Sequence, residues 1–173
     1  MAIAENVFTD RRSVRSYKKD QISDSWLRAV LEAGLHAPSG RNRQCTIMVA
    51  CQNPQEIDIM RRLNASVMGV DTDPFYGAPT VVVVFADKDV YTHVEDGSLV
   101  LGNMLNKAYE LGLGACWIHR AKDVFEMPEG KELMKKWGVP ENYEGIGNCI
   151  LGYPENGFPE KAPRREGRII ISK

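Results

Sequence analysis

The longest amphipathic pattern in the chain lies in its middle, where apolar residues recur at steps of three and four. Asp96 or Ser98 is placed to cap the first turn of the predicted helix, and Gly112 can end it in the left-handed conformation. Polar residues occupy only a narrow strip of its surface, so we expect the helix to be buried in the core or by a second subunit. Its apolar face comprises Leu101, Met104, Leu105, Ala108 and Leu111.

Short apolar runs in the rest of the chain predict strands. The run at 81–86 is hydrophobic at every position, which is typical of a strand covered on both faces. The last run lies near the end of the chain, where it can pair with another subunit or form the edge of its own sheet. We place the strands at about 45–51, 79–86, 114–119, 146–152 and 168–172.

Helical periodicity fills most of the space between these runs. Ser23 is expected to cap a helix that ends near Gly34, and Asn53 to precede one that runs through Leu63. A short opening helix is expected to end near residue 9 and a late helix to span 131–137, whereas 67–77 is predicted to be a loop. This alternation predicts an α+β or α/β sandwich, in which a mixed sheet is covered by helices on both faces.

The composition restricts the classes of protein that fit. With 173 residues, 43% hydrophobic and 26% charged, the chain is expected to form one packed domain, residues 1–173. A net charge of -1 provides no basic field for nucleic acid, and no apolar run approaches the ~20 residues that span a bilayer. The start has no signal-peptide core, so we expect a cytoplasmic protein. The four cysteines are dispersed, which indicates reduced thiols rather than a metal site.

Two polar segments are candidates for binding chemistry. Residues 11–17, RRSVRSY, bring three arginines and two serines together, and guanidinium groups can hold a phosphate through charge-assisted hydrogen bonds. A solvated charge cluster is the alternative. Residues 36–44, HAPSGRNRQ, form a loop that suits the polar edge of a planar ligand or is only a connection from helix to strand. His36 is expected to cap or pack at the helix end rather than act as a base.

These segments belong to a series of five motifs that runs through most of the chain. The motifs are RRSVRSY, APSGRNRQ, APTVVVVFAD, GLGACWI and GNCILGYP. In this order and spacing they resemble the FMN-dependent nitroreductase family in its short, single-domain form. The resemblance implies an α+β fold with a mixed, mainly antiparallel sheet flanked by helices. It also implies an intertwined homodimer that holds FMN at the interface.

The resemblance carries roles onto particular residues of this sequence. Asn64 is a candidate for the pyrimidine edge of the flavin ring. A backbone amide of residues 117–120 would point at flavin N5. The phosphate and ribityl chain would be held by Arg11, Arg12, Ser13 and Arg15, completed from the tail by Arg164 and Arg165. The ring would be approached from the opposite subunit by Pro38, Ser39, Gly40 and Asn42. The segment near N5 comprises Trp117, Ile118, His119 and Arg120.

Two departures from the family pattern affect this site. Gln44 is followed by Cys45, where the family often has a Trp soon afterwards. His119 and Arg120 stand where many members have acidic or small residues, which changes the charge expected near the ring. A positive group near N1 and C2 would raise the flavin potential, whereas His119 can equally cap the end of the strand. Only 67–77 is available to cover the flavin, so we expect an open pocket or one covered by a short loop.

The implied function is NADH- or NADPH-driven ping-pong reduction of small electron-poor acceptors such as nitroaromatics or quinones. FMN would carry the chemistry, and we find no nucleophile, acid–base pair or metal cluster in the sequence that would act as a catalytic group. Two alternatives stay open. One is oxidation or dehalogenation with the same flavin, and the other is a flavin-binding dimer without turnover. A nucleic-acid partner is not expected, because the basic segments are short and the positive and negative charges of the whole chain nearly cancel.

Overall fold

The computed structural model describes residues 6–173 and contains one four-stranded antiparallel sheet. Part of the predicted opening helix lies outside the described residues, because Ile3, its first apolar residue, is not among them. The strands are β1 (Thr46–Cys51), β2 (Thr80–Asp87), β3 (Gly114–Ile118) and β4 (Tyr143–Gly152). They pair in the order β1-β2-β4-β3, so that β1 and β3 are the two edges.

Helices cover both faces of this sheet, as the sequence predicts. Alternate residues of β2 enter two separate clusters of buried side chains, with Val83 and Phe85 on one face and Val82 and Val84 on the other. No helix within residues 6–173 is long and apolar enough to cross a membrane. The helices are α1 (Val7–Asp10), α2 (Asp24–Leu35), α3 (Pro54–Met68), α4 (His93–Glu110), α5 (Ala121–Glu126) and α6 (Pro128–Trp137). Helices α2 and α4 cover one face, whereas α3, α5 and α6 cover the other.

The central helix, α4, begins earlier than its sequence pattern predicts. Thr92 is its N-cap residue, so the prediction that Asp96 or Ser98 caps the helix is wrong. Asp96 is only 3% exposed, and its carboxylate accepts hydrogen bonds from outside the helix instead. The predicted end is confirmed, because Gly112 has a φ of 78° just beyond the last turn.

The tail corrects a second prediction, because residues 168–172 form no strand. Ile169, Ile170 and Ile171 are 85%, 92% and 75% exposed. An apolar triplet extends as a strand only where a sheet edge is available to pair with it, and the tail pairs with none in its own chain. The tail leaves the body near Phe158, whose ring packs edge-on against Tyr109 with centroids 4.7 Å apart.

Other element boundaries differ by smaller amounts. Helix α3 continues to Met68, two residues into the segment 67–77 that the sequence predicts to be a loop, which shortens that loop. That loop is held by Asp73, whose carboxylate accepts from the backbone N–H of Phe75 at 2.8 Å and of Gly77 at 2.7 Å. The sequence pattern missed α5, because six residues are too few to show a period of 3.6.

A half-buried carboxylate joins α3 to α6 and gives the fold an acid-sensitive contact. The ammonium group of Lys136, 2.7 Å from Glu56, and the indole N–H of Trp137 hold the pKa of Glu56 below its usual 4.5. A lowered folded-state pKa stabilises the fold above the unfolded pKa, and this contribution is lost as pH falls through the folded value. We therefore expect Glu56→Gln to flatten the loss of stability below about pH 4.5. Urea unfolding at pH 7 and pH 4 would measure this, and an unchanged pH slope would contradict it.

Candidate functional site

The N-terminal strap, residues 11–17, lies along the free edge of β3. Ser13 pairs with Ala115 in a parallel bridge, and Tyr17 pairs with Pro154. Val14 and Tyr17 are 2% and 8% exposed, and the Tyr17 hydroxyl donates to the Val14 carbonyl at 2.7 Å. The two buried side chains fix the strap to the sheet, so its arginines lie at the edge of β3 with their backbone held in place.

Arg12 has a guanidinium group that is only partly satisfied. Its Nη1 donates to the carbonyl oxygens of Thr9 at 2.8 Å and Arg11 at 2.6 Å, but its Nε is buried and has no hydrogen-bond partner among residues 6–173. A buried donor without an acceptor is costly, and an anion beside it would remove that cost. Within residues 6–173, Arg11, Arg12 and Arg15 form no ion pair. The strap therefore carries three arginines that form no ion pair among the described residues, and such a cluster fits a phosphate.

The turn after β3 is held by two buried asparagines. Asn64, which is fully buried, donates to the His119 carbonyl at 2.9 Å and accepts from Arg120 Nε at 3.0 Å. Asn148 donates to the Ile118 carbonyl at 3.1 Å. Arg120 has a φ of 74°, a left-handed conformation that persists in a non-glycine residue only where surrounding contacts hold it. The backbone of this turn is thus fixed before any ligand binds.

The other residues predicted near the flavin ring contribute differently. Ile118 is 6% exposed and lies in the core under α3 and α5, while Trp117 packs half-buried on the α2 and α4 side. Their side chains serve packing, so only their backbone is available at the edge of the sheet. The His119 side chain is exposed.

The strap and the turn lie at opposite ends of β3. The strap crosses at Ala115 and the turn begins at His119, four residues further, which is a separation of ~13 Å at ~3.3 Å per residue. Positive charge therefore occupies one end of an open sheet edge, and a rigid polar turn occupies the other. This arrangement suits an elongated ligand with a phosphate at one end and a flat polar ring at the other.

The loop formed by residues 39–44, called the projecting loop below, does not join this arrangement in its own chain. It leads into β1, and β1 lies at the opposite edge of the sheet from β3. Three strand spacings of ~4.8 Å separate the two edges. One chain thus keeps Pro38, Ser39, Gly40 and Asn42 apart from the strap.

The tail arginines form no ion pair or side-chain hydrogen bond with the strap among the described residues. Arg164 and Arg165 are exposed and form no ion pair within the described residues. The tail does pass close to the strap, because Lys161 Nζ lies 3.7 Å from the carboxylate of Asp10 in α1. The role of Arg164 and Arg165 in phosphate binding stays a prediction.

A cavity of about 830 Å³ lies elsewhere, between α5, α6 and the ends of β2 and β4. Its lining combines lysines and glutamates, so the cavity has no charge of one sign that would select an anion. The groups that could bind an anion and a polar ring lie at the edge of β3 instead.

Sequence reasoning missed several residues that build this site. Asn148 holds the turn after β3 from within an apolar strand, and Asp96 holds the projecting loop from within α4. Gly114 is the third, since a Cβ there would lie 2.9 Å from Val14 Cγ1 of the strap. The signal for the two polar residues is their place in apolar surroundings, where a polar side chain needs a specific partner.

Comparison with known proteins identifies similar sequences and structures. The model of the Nitroreductase family matches residues 8–70 and 66–153. A protein of Thermus thermophilus described as an NADH dehydrogenase is 33% identical over 149 residues, which is 86% of this chain and 66% of that protein. A crystal structure of a nitroreductase with bound FMN from Bacteroides fragilis has a TM-score of 0.88 at 29% identity, and covers 96% of this chain and 97% of that one. Another, from Desulfitobacterium hafniense and also with bound FMN, has a TM-score of 0.85 at 25% identity, covering 96% of both chains.

Proposed function

Since this chain belongs to the nitroreductase family, we propose that it is an FMN-dependent oxidoreductase that uses NADH or NADPH to reduce small electron-poor acceptors. Nitroaromatics and quinones are the acceptor classes we expect. The observation that carries the proposal is the edge of β3, where arginines that form no ion pair within residues 6–173 lie at one end and a rigid turn lies at the other. The FMN-bound structures of similar fold and the NADH dehydrogenase name of the Thermus relative support the cofactor and the donor.

The strap would hold the phosphate and ribityl chain of FMN. Arg12 Nε is a buried donor aligned by the two bonds of its Nη1, and the Ser13 hydroxyl would add a further donor from the same segment. Guanidinium groups bind a dianionic phosphate more strongly than neutral donors do. Arg11 and Arg15 would add charge, and Arg164 and Arg165 would complete the site from the tail.

The turn after β3 would position the ring through its backbone. Asn64 donates to the His119 carbonyl and Asn148 to the Ile118 carbonyl, and these bonds fix the backbone whose amide groups would face the ring. The Arg120 guanidinium provides positive charge at this end, which would favour a ring that carries negative charge. FMN, when bound, would take hydride from the donor and pass electrons to the acceptor. No side chain is needed as a catalytic acid, base or nucleophile.

We further propose that the functional unit is a homodimer, because one chain does not assemble the site. The projecting loop lies at the edge of the sheet opposite the strap, so a second copy would have to supply it. The surface of α4 supports this, since Leu99 is 46% exposed and a Cβ at Gly102 would meet nothing within 4 Å. The exposed isoleucines of the tail are further apolar surface that a second copy would cover.

Gly102→Leu is expected to weaken the dimer without unfolding the chain. A side chain at this position fills open space in one chain but would separate two α4 helices packed closely through Gly102. Light scattering after gel filtration should show the mass falling from twice 19.4 kDa towards 19.4 kDa. Lys131→Leu, on the exposed face of α6, is the control and should change nothing. Unchanged dimer stability in Gly102→Leu would place the interface elsewhere.

The function itself is tested with purified protein reconstituted with FMN. NADH and NADPH are added in turn without oxygen, and loss of the flavin absorbance band is followed. A nitroarene or a quinone is then added, and return of the band measures electron transfer to the acceptor. We expect both half-reactions to occur at the same site. Flavin that binds but is reduced by neither nicotinamide would indicate a flavin-binding dimer without this activity.

A further inference from the structure

We propose that Asp96 is a positioning residue for the flavin site of the opposite subunit, and that it acts by holding both ends of the projecting loop. The inference rests on the proposed function, because the flavin site is the target of the loop. It assigns a role in FMN binding to a residue of α4 that has no direct contact with the strap or with the turn after β3.

The carboxylate of Asp96 accepts hydrogen bonds from both ends of the loop. Oδ1 accepts from the backbone N–H of Gly40, near the start of the loop, at 2.9 Å. Oδ2 accepts from the thiol of Cys45, the first residue beyond the loop, at 3.3 Å. Thr92 donates its hydroxyl to the same oxygen at 3.1 Å and so orients the carboxylate. These contacts join residues that are 56 and 51 positions apart in sequence.

A buried carboxylate is a costly way to hold two pieces of chain together. Asp96 is 3% exposed, and no basic side chain within residues 6–173 forms an ion pair with it. A buried charge is tolerated only with several hydrogen bonds, and here neutral donors supply them all. Its place in the first turn of α4 adds favourable interaction with the helix dipole. Because ionised acceptors form stronger hydrogen bonds than neutral ones, the charge fixes the Gly40 amide more firmly than an uncharged residue would.

The part of the loop between these two points is strained and exposed. Arg41, Asn42 and Gln44 have φ values of 54°, 53° and 49°. A left-handed conformation is unfavourable for a residue with a side chain, and it persists where surrounding contacts enforce it. Bonds inside the loop help, since Gln44 N–H donates to Ser39 Oγ at 3.0 Å and the Gln44 amide donates to Asn42 Oδ1 at 3.0 Å. Residues 41–44 are all exposed in the single chain, so the rigid loop presents its side chains outward.

Gly40 shows how closely the loop is seated on α4. A Cβ at this position would lie 2.3 Å from Thr92 Oγ1 and 3.2 Å from Thr92 Cγ2. The absence of a side chain is thus what allows the Gly40 amide to reach Asp96. A change at Asp96, Gly40 or Thr92 should therefore alter the same loop conformation.

The first test compares Asp96→Asn with Glu95→Gln. The two substitutions remove one negative charge each from the same turn of α4, but Glu95 is exposed. We expect Asp96→Asn to raise the FMN dissociation constant about tenfold or more, while Glu95→Gln leaves it unchanged. Gly40→Ala should weaken binding in the same way, and adding Thr92→Ala should restore part of the loss because the 2.3 Å contact is removed. Wild-type affinity in Asp96→Asn would overturn the proposal.

The second test asks whether the loop acts across the interface, which a merely structural role would not require. Chains carrying Asp96→Asn and chains carrying Arg12→Ala are co-expressed with different tags, and the mixed dimer is isolated. One of its two sites then combines an intact strap with an intact loop, so we expect one FMN per mixed dimer with wild-type affinity. If loop and strap of the same chain formed a site, neither site would be intact and no tight binding would return. That outcome overturns the inference, whereas a wild-type protein that binds no FMN would overturn the proposed function.

Discussion

Arg12→Ala should weaken FMN binding by at least about tenfold, since a hydrogen bond to a charged group contributes ~1.5–3 kcal/mol. The substitution removes the buried Nε donor that has no partner among residues 6–173. It also removes the Nη1 bonds to Thr9 and Arg11 that keep the start of the strap in place. Arg11→Ala should act in the same direction, by more than ~1.5 kcal/mol, through the loss of charge alone.

Fluorescence quenching of FMN during titration with apoprotein measures this effect. Arg12→Lys is the informative partner variant, because it keeps the charge but loses the planar guanidinium and should recover only part of the affinity. Arg28→Ala removes an exposed arginine of α2 that is not part of the strap, and it should have no effect. Full flavin retention in Arg12→Ala would show that the phosphate lies elsewhere.

Gly114→Val is expected to displace the strap and so reduce both stability and FMN affinity. A Cβ at Gly114 would lie 2.9 Å from Val14 Cγ1, 3.0 Å from Val14 Cβ and 3.1 Å from Tyr17 Cε1. These two side chains anchor the strap to β3, so the added methyl groups must push it away from the sheet. Overpacking of this kind costs ~1–3 kcal/mol of unfolding free energy.

Two substitutions of different size at Gly114 can be compared in this experiment. Gly114→Ala should fall between wild type and Gly114→Val in both urea unfolding and FMN titration, because it adds only the Cβ. Adding Val14→Ala to Gly114→Ala removes the 2.9 Å contact and should recover some FMN affinity, even though the core loses a buried side chain. Wild-type FMN affinity in Gly114→Val would show that the strap does not carry the phosphate site.

The parts of the fold that depend on local pattern were predictable from sequence. The helical period of α4 and the unbroken apolar run of β2 each predict a buried element, and the structure confirms that both are buried. The tail shows the limit of such reasoning, because three isoleucines indicate a strand but not whether a sheet edge is available. Whether the tail forms a strand depends on a sheet edge elsewhere, and the sequence of the tail does not show whether one is available.

The candidate site was predictable as a set of segments but not as a geometry. The arginines of residues 11–17 follow from their chemistry, whereas the pairing of Ser13 with Ala115 depends on residues about a hundred positions away. Asp96 fits the pattern of a helix cap, and only its tertiary partners Gly40 and Cys45 reveal a different role. Asn64 was selected as a ring ligand by resemblance, and the structure uses both of its polar atoms to hold the turn after β3.

The measurement that tests the central claim most directly is the mass and flavin content of the reconstituted protein in one experiment. Gel filtration with light scattering and absorbance detection reports both for the same peak. We predict a species of twice 19.4 kDa that carries one FMN per chain. A single chain of 19.4 kDa that emerges without flavin after incubation with excess FMN would contradict the account.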